Sequence, residues 1–219
     1  MTKIKNRFSV FFKYATCLSA LWGVTLSLLS ATQDGYSHWS KRLLYFTAQS
    51  NIWIAVVFLL LFYSQKPWLY TLKYIFTVSI TFTGIVFCCL LAPFSPNDYA
   101  PWTLCNLLTH VFTPAFALAN FFLDEKQPQI TTKQIFLSTI PPLFYLIEVS
   151  LLQRFQTDFG RGVAYPYFFM NYRSPVGWFG FSSQRPFILG TAYWWIVFLS
   201  LILLIAFILS ALSKKKTSA

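Results

Sequence analysis

Long apolar segments separated by short polar connections dominate the pattern along this chain. A helix that crosses a bilayer needs about 20 consecutive, mostly apolar residues at a rise of about 1.5 Å per residue. Segments of that length predict six transmembrane helices, at residues 10–31, 43–64, 70–92, 101–123, 134–153 and 190–212. We therefore expect an all-α, polytopic membrane protein in which residues 1–219 form a single six-helix domain.

The overall composition points to the same class. Of the 219 residues, 56% are hydrophobic and only 11% are charged, and the mean hydropathy is +0.55. These values are typical of a membrane protein and exclude a soluble domain of useful size. We expect membrane lipids as partners, and the pattern does not specify an oligomeric state.

Positive charges predict how the helices are oriented. With both termini in the cytoplasm, eleven of the 17 lysine and arginine residues fall on the cytoplasmic side: Lys3, Lys5, Arg7, Lys13, Lys66, Lys73, Lys126, Lys133, Lys214, Lys215 and Lys216. Six fall on the outer side: Lys41, Arg42, Arg154, Arg161, Arg173 and Arg185. This bias favours an orientation with both termini on the cytoplasmic side of a cell membrane. We take that membrane to be a bacterial plasma membrane. The net charge of +11 is then a topology signal plus attraction to anionic lipids, and no nucleic-acid partner is expected.

The second predicted helix opens with small polar side chains. Thr47, Ser50 and Asn51 fall at i, i+3 and i+4, so they share one helical face. Hydrocarbon would penalise that face, which should point into the protein interior or a wet cavity. The best partner elsewhere in the sequence is His110.

The fourth predicted helix carries His110 within a second polar stripe, which also includes Thr103, Asn106 and Thr113. Pro114 lacks the N–H that would normally pair with the His110 carbonyl, so the backbone is expected to bend there. An ionisable residue inside a membrane is a functional candidate, although a structural hydrogen bond to a neighbouring helix is the simpler alternative.

Depth allows the two polar stripes to meet. At about 1.5 Å per residue, Thr47 lies about 6 Å and His110 about 13 Å below the outer ends of their helices. Glu148 lies near the outer end of the fifth helix and should be protonated or paired with His110 or Arg154. It would then orient the histidine or form a structural ion pair.

The outer loop between helices five and six is long and aromatic, with 36 residues from 154 to 189. Structureless loops of that length usually have a function. It forms either an aromatic belt at the headgroup level or a flap over a cavity between the helices. The candidate substrate-binding residues of the flap are Tyr165, Pro166, Tyr167, Phe168 and Arg161.

A threonine and a histidine in such a place suit acyl transfer. A threonine hydroxyl becomes nucleophilic when a base takes its proton, and imidazole has the required basicity. Ser50, Asn51 or Asn106 could stabilise the oxyanion. The sequence has only two histidines and no C-x-x-C pair among its four cysteines, so neither a metal nor a cofactor is expected.

Three short motifs at these positions resemble one known family. They are YFTAQSN at residues 45–51, LLTHVFTP at residues 107–114, and YPYFF at residues 165–169 followed by Asn171. In order and spacing they resemble the androgen-induced-gene family of six-span membrane proteins, and more closely its bacterial branch. Animal members are threonine hydrolases that cleave fatty acid esters of hydroxy fatty acids. The resemblance implies that Thr47 is the nucleophile and His110 the base.

Two other functional classes remain open. One is a non-catalytic lipid or small-molecule binder or transporter in which His110 and Glu148 handle protons, and the other is a scaffold subunit of a membrane complex. A separate hypothesis concerns Arg154, Arg161 and Arg173, which could hold the free carboxylate of a branched fatty ester. The alternative is that these arginines extend to lipid phosphates. The Asp124-Glu125-Lys126 run of the inner connection is expected to be a solvated face.

The predicted orientation can be tested with alkaline phosphatase fusions, because that enzyme needs disulfides that form only outside the cytoplasm. A fusion within the loop at residues 154–189 should be active. Fusions at the carboxyl terminus and at the connection around residue 65 should be inactive. Phosphatase activity from the carboxyl-terminal fusion would reverse the topology.

Overall fold

A computed structural model describes residues 2–95, 100–183, 186 and 188–217 of the chain. The regular structure of these residues is helical, apart from one isolated antiparallel bridge between Phe181 and Leu189. Arg185 lies outside the described residues, as do the side chains of Lys3 and of the three lysines at 214–216. The charge count behind the topology prediction includes these five residues.

Within the described residues, six helices are long and apolar enough to cross a membrane, which confirms the predicted all-helical class and number of spans. They are α1 (Thr2–Ser30), α2 (Phe46–Tyr63), α3 (Pro67–Leu91), α4 (Leu104–Leu123), α5 (Thr132–Arg154) and α6 (Thr191–Thr217).

The helix ends differ from the apolar runs because local chemistry decides where a helix begins. The start of the second predicted span instead forms a 3-10 helix at Trp39–Leu44, and Tyr45 is extended, so α2 begins at Phe46. The helix α4 begins after Thr103, whose hydroxyl accepts the backbone N–H of Asn106.

The helix α3 is the most buried of the six and lies at the centre of the bundle. It contacts α2 and α4 on one side and α5 and α6 on the other, while α1 packs against α2 and α4. Its polar residues are tolerated because their hydroxyls donate within the helix: Thr77 to Lys73 O, Thr81 to Thr77 O, and Thr83 to Ser79 O.

Apolar side chains on the outside of the bundle are exposed along α5 and α6. Aqueous solvent would make such extended faces unfavourable, whereas lipid chains suit them. The exposed set includes Phe136, Ile140, Phe144, Ile147 and Leu151 on α5 and Ile196, Leu204 and Phe207 on α6. The fold is therefore that of a multi-pass membrane protein.

One ion pair is buried at the end of the bundle opposite the 155–190 loop. Lys73 Nζ lies 2.6 Å from Asp124 Oδ2, with the two side chains 0% and 8% exposed. The predicted solvated face is therefore wrong for Asp124, because folding brings α3 against the end of α4. Although burial opposes ionisation, the Lys73 ammonium and the Lys126 backbone N–H hold the Asp124 pKa below its usual value.

Breaking this pair on one side should destabilise the fold strongly. Lys73→Met leaves a buried carboxylate without its cation, which costs about 3–5 kcal/mol, while adding Asp124→Leu should restore most of that loss. Thermal unfolding of the single and double variants in detergent measures both effects.

Because the Asp124 pKa is lowered, the stabilisation that the ion pair gives should be complete above pH 3.8, the usual pKa, and lost as the pH falls further.

For the substitutions, a double variant no more stable than Lys73→Met would contradict the predicted coupling.

Candidate functional site

Thr47 lies in the first turn of α2, where backbone N–H groups have no partner within the helix. Tyr45, which precedes α2, makes no side-chain cap. The Tyr167 hydroxyl of the long loop supplies the partner, since it lies 3.4 Å from Thr47 N and 3.4 Å from Thr47 Oγ1. The loop thus caps α2 at the residue that the sequence marks as the nucleophile.

Ser50 and Asn51 lie behind Thr47 and are completely buried. The Asn51 side chain donates to Thr47 O at 2.8 Å and to Thr109 O at 3.1 Å, which joins α2 to α4. The Ser50 hydroxyl donates to Thr47 O at 3.2 Å and lies 3.0 Å from Thr83 Oγ1 on α3. Neither residue lines the apolar or the polar cavity described below. Their bonds join the helices, and their role as oxyanion donors stays a prediction.

His110 lies in a π-turn, Leu108–Phe112, inside α4. The sequence predicts a departure from regular helix here because of Pro114, and the helix accommodates the missing N–H by widening one turn. The His110 carbonyl packs closely on Gly84 of α3, where an added Cβ would lie 2.8 Å from its oxygen. A second π-turn follows at Phe87–Leu91, so both helices are irregular around the histidine.

The His110 ring is held by stacking. Its centroid lies 3.9 Å from that of Phe87 at an interplanar angle of 9°. The ring is buried, it interacts with the backbone of Thr83, and its Nδ1 has no hydrogen-bond partner among the described residues. A buried imidazole nitrogen without a partner is available to a ligand.

Two cavities meet at these residues. The first is a small cavity of about 60 Å³, lined mainly by apolar and aromatic side chains of α2, α3, α5, α6 and the loop, and we name it the apolar cavity. The second, of about 290 Å³, lies between α1, α2, α3, α4 and the loop, and we name it the polar cavity. Four residues line both: Thr47, Leu91, His110 and Tyr167.

The remaining predicted residues divide between the cavities and other places. Pro166, Phe168, Arg161 and Asn106 line the polar cavity, whereas Tyr165 lines neither. Asn106 Nδ2 donates to Pro101 O at 2.9 Å.

Glu148 does not pair with His110 or Arg154. Its carboxylate accepts from Gln49 Nε2 at 3.1 and 2.9 Å, and it lines neither cavity. The reason is helical rotation: Asn51 follows Gln49 by two residues, about 200° around the helix, so Gln49 leaves the opposite side of α2 from Asn51 and reaches Glu148 on α5.

Sequence reasoning missed several contributors to the polar cavity, notably Tyr36, Arg42 and Tyr45. The Tyr36 hydroxyl donates to that of Tyr45 at 3.1 Å, and the latter donates to Phe159 O at 3.3 Å. These residues belong to the connection before α2, where no periodicity marks them. The only signal in the sequence was the place of Tyr45 at the start of the YFTAQSN motif.

The Tyr167 phenol stays protonated at neutral pH. Burial raises its pKa to about 12, and hydrogen bonding to Thr47 offsets only part of that effect. The hydroxyl therefore keeps a proton that it can donate into the junction of the cavities.

Comparison with known protein families, with curated proteins and with solved structures finds no match. What defines the protein is therefore its own fold and site: a multi-pass membrane protein with a buried histidine at the junction of an apolar and a polar cavity. Among the described residues, no three histidine, cysteine or acidic side chains gather as metal ligands.

Proposed function

We propose that the protein is a membrane-embedded hydrolase of lipid esters, with Thr47 as nucleophile and His110 as base. The observation that carries the proposal is that these two residues, from different helices, line the same two cavities. It agrees with the activity implied by the resemblance to the androgen-induced-gene family, whose animal members cleave fatty acid esters of hydroxy fatty acids. The enzyme would act in a cell membrane with the 155–190 loop on the outer side.

The two cavities suit an amphipathic ester. We place the acyl chains against the aromatic and aliphatic side chains of the apolar cavity, which has to widen to admit them, and the polar part of the molecule in the polar cavity. The ester group then lies at the junction, beside Thr47, His110 and Tyr167.

The chemistry proceeds in two steps. Thr47 Oγ1 attacks the ester carbonyl carbon while His110 accepts the hydroxyl proton, and His110 returns that proton to the leaving alkoxide as the C–O bond breaks. Water then attacks the acyl-threonine, with His110 taking its proton and passing it back to Thr47 Oγ1. In the structure the Thr47 hydroxyl contacts Tyr167. The proposed reaction requires that this hydroxyl rotate about χ1 to reach His110.

Tyr167 is a further candidate for the oxyanion role, beside Ser50, Asn51 and Asn106. Its hydroxyl lies 3.4 Å from Thr47 Oγ1 and keeps its proton. A donor so close to the nucleophile can stabilise the negative charge that develops on the carbonyl oxygen.

A binding protein for lipids is the second candidate, because the same paired cavities suit a lipid that is held but not cleaved. A transport mechanism in which His110 and Glu148 exchange protons has less support, since Glu148 pairs with Gln49 away from both cavities.

Labelling with a fluorophosphonate probe tests the hydrolase. Purified wild-type protein should be labelled, and Thr47→Ala and His110→Ala should each reduce labelling about 100-fold or more, because nucleophile and base act together. The matched controls are His38→Ala, at the other histidine, and Thr77→Ala, whose hydroxyl bonds within α3. Labelling that survives Thr47→Ala would refute the nucleophile, and an unlabelled wild type that still binds lipid would favour the binding protein.

Tyr167→Phe should lower kcat for ester hydrolysis by about 100-fold with little change in KM, because it removes one transition-state donor and keeps the ring. Tyr172→Phe is the matched control, since its hydroxyl contacts Ser150 and lines neither cavity. A rise in KM at unchanged kcat would assign Tyr167 to substrate binding instead.

A further inference from the structure

Two arginines that both pack over the same aromatic ring form one wall of the polar cavity. Arg42 Cζ lies 4.1 Å from the centroid of the Tyr36 ring, and Arg161 Cζ lies 5.4 Å from it. Both arginines and Tyr36 line the cavity that contains Thr47 and His110. The two guanidinium groups come from connections far apart in sequence, so only the fold brings them together.

The charge of this wall is positive on balance. Asp34 forms an ion pair with Arg42 and also accepts from Ser30 Oγ at 2.9 Å, so this carboxylate is already used. Asp34 does not line the cavity, and neither does any other carboxylate of the described residues. Arg42 Nε is buried and has no hydrogen-bond partner in the described part of the chain. A bound anion would accept a hydrogen bond from Arg42 Nε and balance the positive charge of this wall.

The backbone that carries Arg161 is conformationally strained. Gly160, Arg161 and Gly162 have φ angles of 117°, 57° and 70°, in the region that side chains rarely adopt. Tyr36 packs so closely on Gly160 that an added Cβ would lie 2.1 Å from its ring. A positive φ at a non-glycine residue costs free energy and persists where the surroundings enforce it, commonly at ligand sites.

The wall and the apolar cavity are connected through residues that line both cavities. Arg161 and Arg42 line only the polar cavity, and Phe198 and Ile202 line only the apolar cavity, while Thr47 and His110 line both. A molecule that fills both cavities would therefore have an anionic end, a middle beside Thr47 and an apolar end.

We propose that Arg161, supported by Arg42, binds the single anionic head group of an amphiphile whose chain extends past Thr47 into the apolar cavity. Carboxylates and phosphates share the acceptor geometry that a guanidinium recognises. The inference rests on the proposed function where it places the scissile ester at Thr47, whereas the binding itself needs no turnover. Arg154 and Arg173, the other arginines considered from the sequence, line neither cavity and have no part in this site.

Binding to the purified Thr47→Ala protein in non-ionic detergent tests the head-group site without catalysis. A fluorescent long-chain fatty acid is displaced by an unlabelled fatty acid or by its methyl ester. The protein should prefer the acid over the ester by about 10-fold or more, the range of one charge-assisted hydrogen bond. Adding Arg161→Asn should abolish that preference and leave methyl ester binding unchanged, and Arg161→Lys should retain part of it.

Asparagine is chosen because it tolerates a positive φ, so the variant removes the cation without adding strain. The matched control is Arg173→Asn, which changes an exposed arginine of the same loop outside both cavities. Equal affinity for acid and methyl ester before substitution would overturn the proposal, and so would an equal loss of acid binding in the Arg161→Asn and Arg173→Asn proteins.

Two further ligands distinguish the sources of the anion. If a monoacyl glycerol phosphate competes as well as the fatty acid and depends equally on Arg161, the site serves phosphate head groups too. If only the fatty acid depends on Arg161, the ligand is a carboxylate. If binding depends on Arg161 but the probe does not label the wild type, the hydrolase proposal is refuted and the head-group site stands. If the probe labels the wild type but binding does not depend on Arg161, the head-group site is refuted and the hydrolase proposal stands.

Discussion

The hydrogen bonds of Asn51 tie together the parts on which this site depends. Its side-chain amide donates to Thr47 O on α2 and to Thr109 O on α4, so one buried group sets the distance between the helix of the threonine and the helix of the histidine. In a membrane interior, backbone carbonyls without partners are costly, and such a bridge is retained because no water replaces it. Ser50 completes the arrangement by contacting Thr83 on the central helix.

The irregular turns of α3 and α4 follow from the same constraint. Pro114 removes a donor from the helical ladder, and the π-turn at Leu108–Phe112 redistributes the remaining bonds while the His110 carbonyl rests on Gly84. Thr113 N–H and Oγ1 both reach the Leu108 carbonyl from within α4. Neighbouring helices also donate to this widened turn, Ser19 Oγ to Leu108 O and Asn51 Nδ2 to Thr109 O. The result is a buried imidazole, stacked on Phe87 and presented to two cavities.

The 155–190 loop contributes as much to the site as the helices do. Phe169 and Met170 lie in the main hydrophobic core, and this anchors the neighbouring Tyr167 at the first turn of α2. The charged residues lie at the two ends of the bundle. The buried Lys73–Asp124 pair lies at one end, and Arg42 and Arg161 line the polar cavity near the other. The arginines of the polar cavity, the residues shared by the two cavities and the apolar cavity are therefore built from different parts of the chain.

The sequence by itself determined the number of spans, because a run of about 20 apolar residues has few alternatives to a transmembrane helix. It also indicated that Thr47, Ser50 and Asn51 turn inward and that α4 is irregular at His110, because helical spacing and proline chemistry are local properties. Only the tertiary structure decided the partners: Tyr167 for Thr47, Thr109 for Asn51, and Gln49 for Glu148. Which groups meet depends on which helices are neighbours and how each is rotated, and those are set by packing over the whole bundle rather than by any one segment.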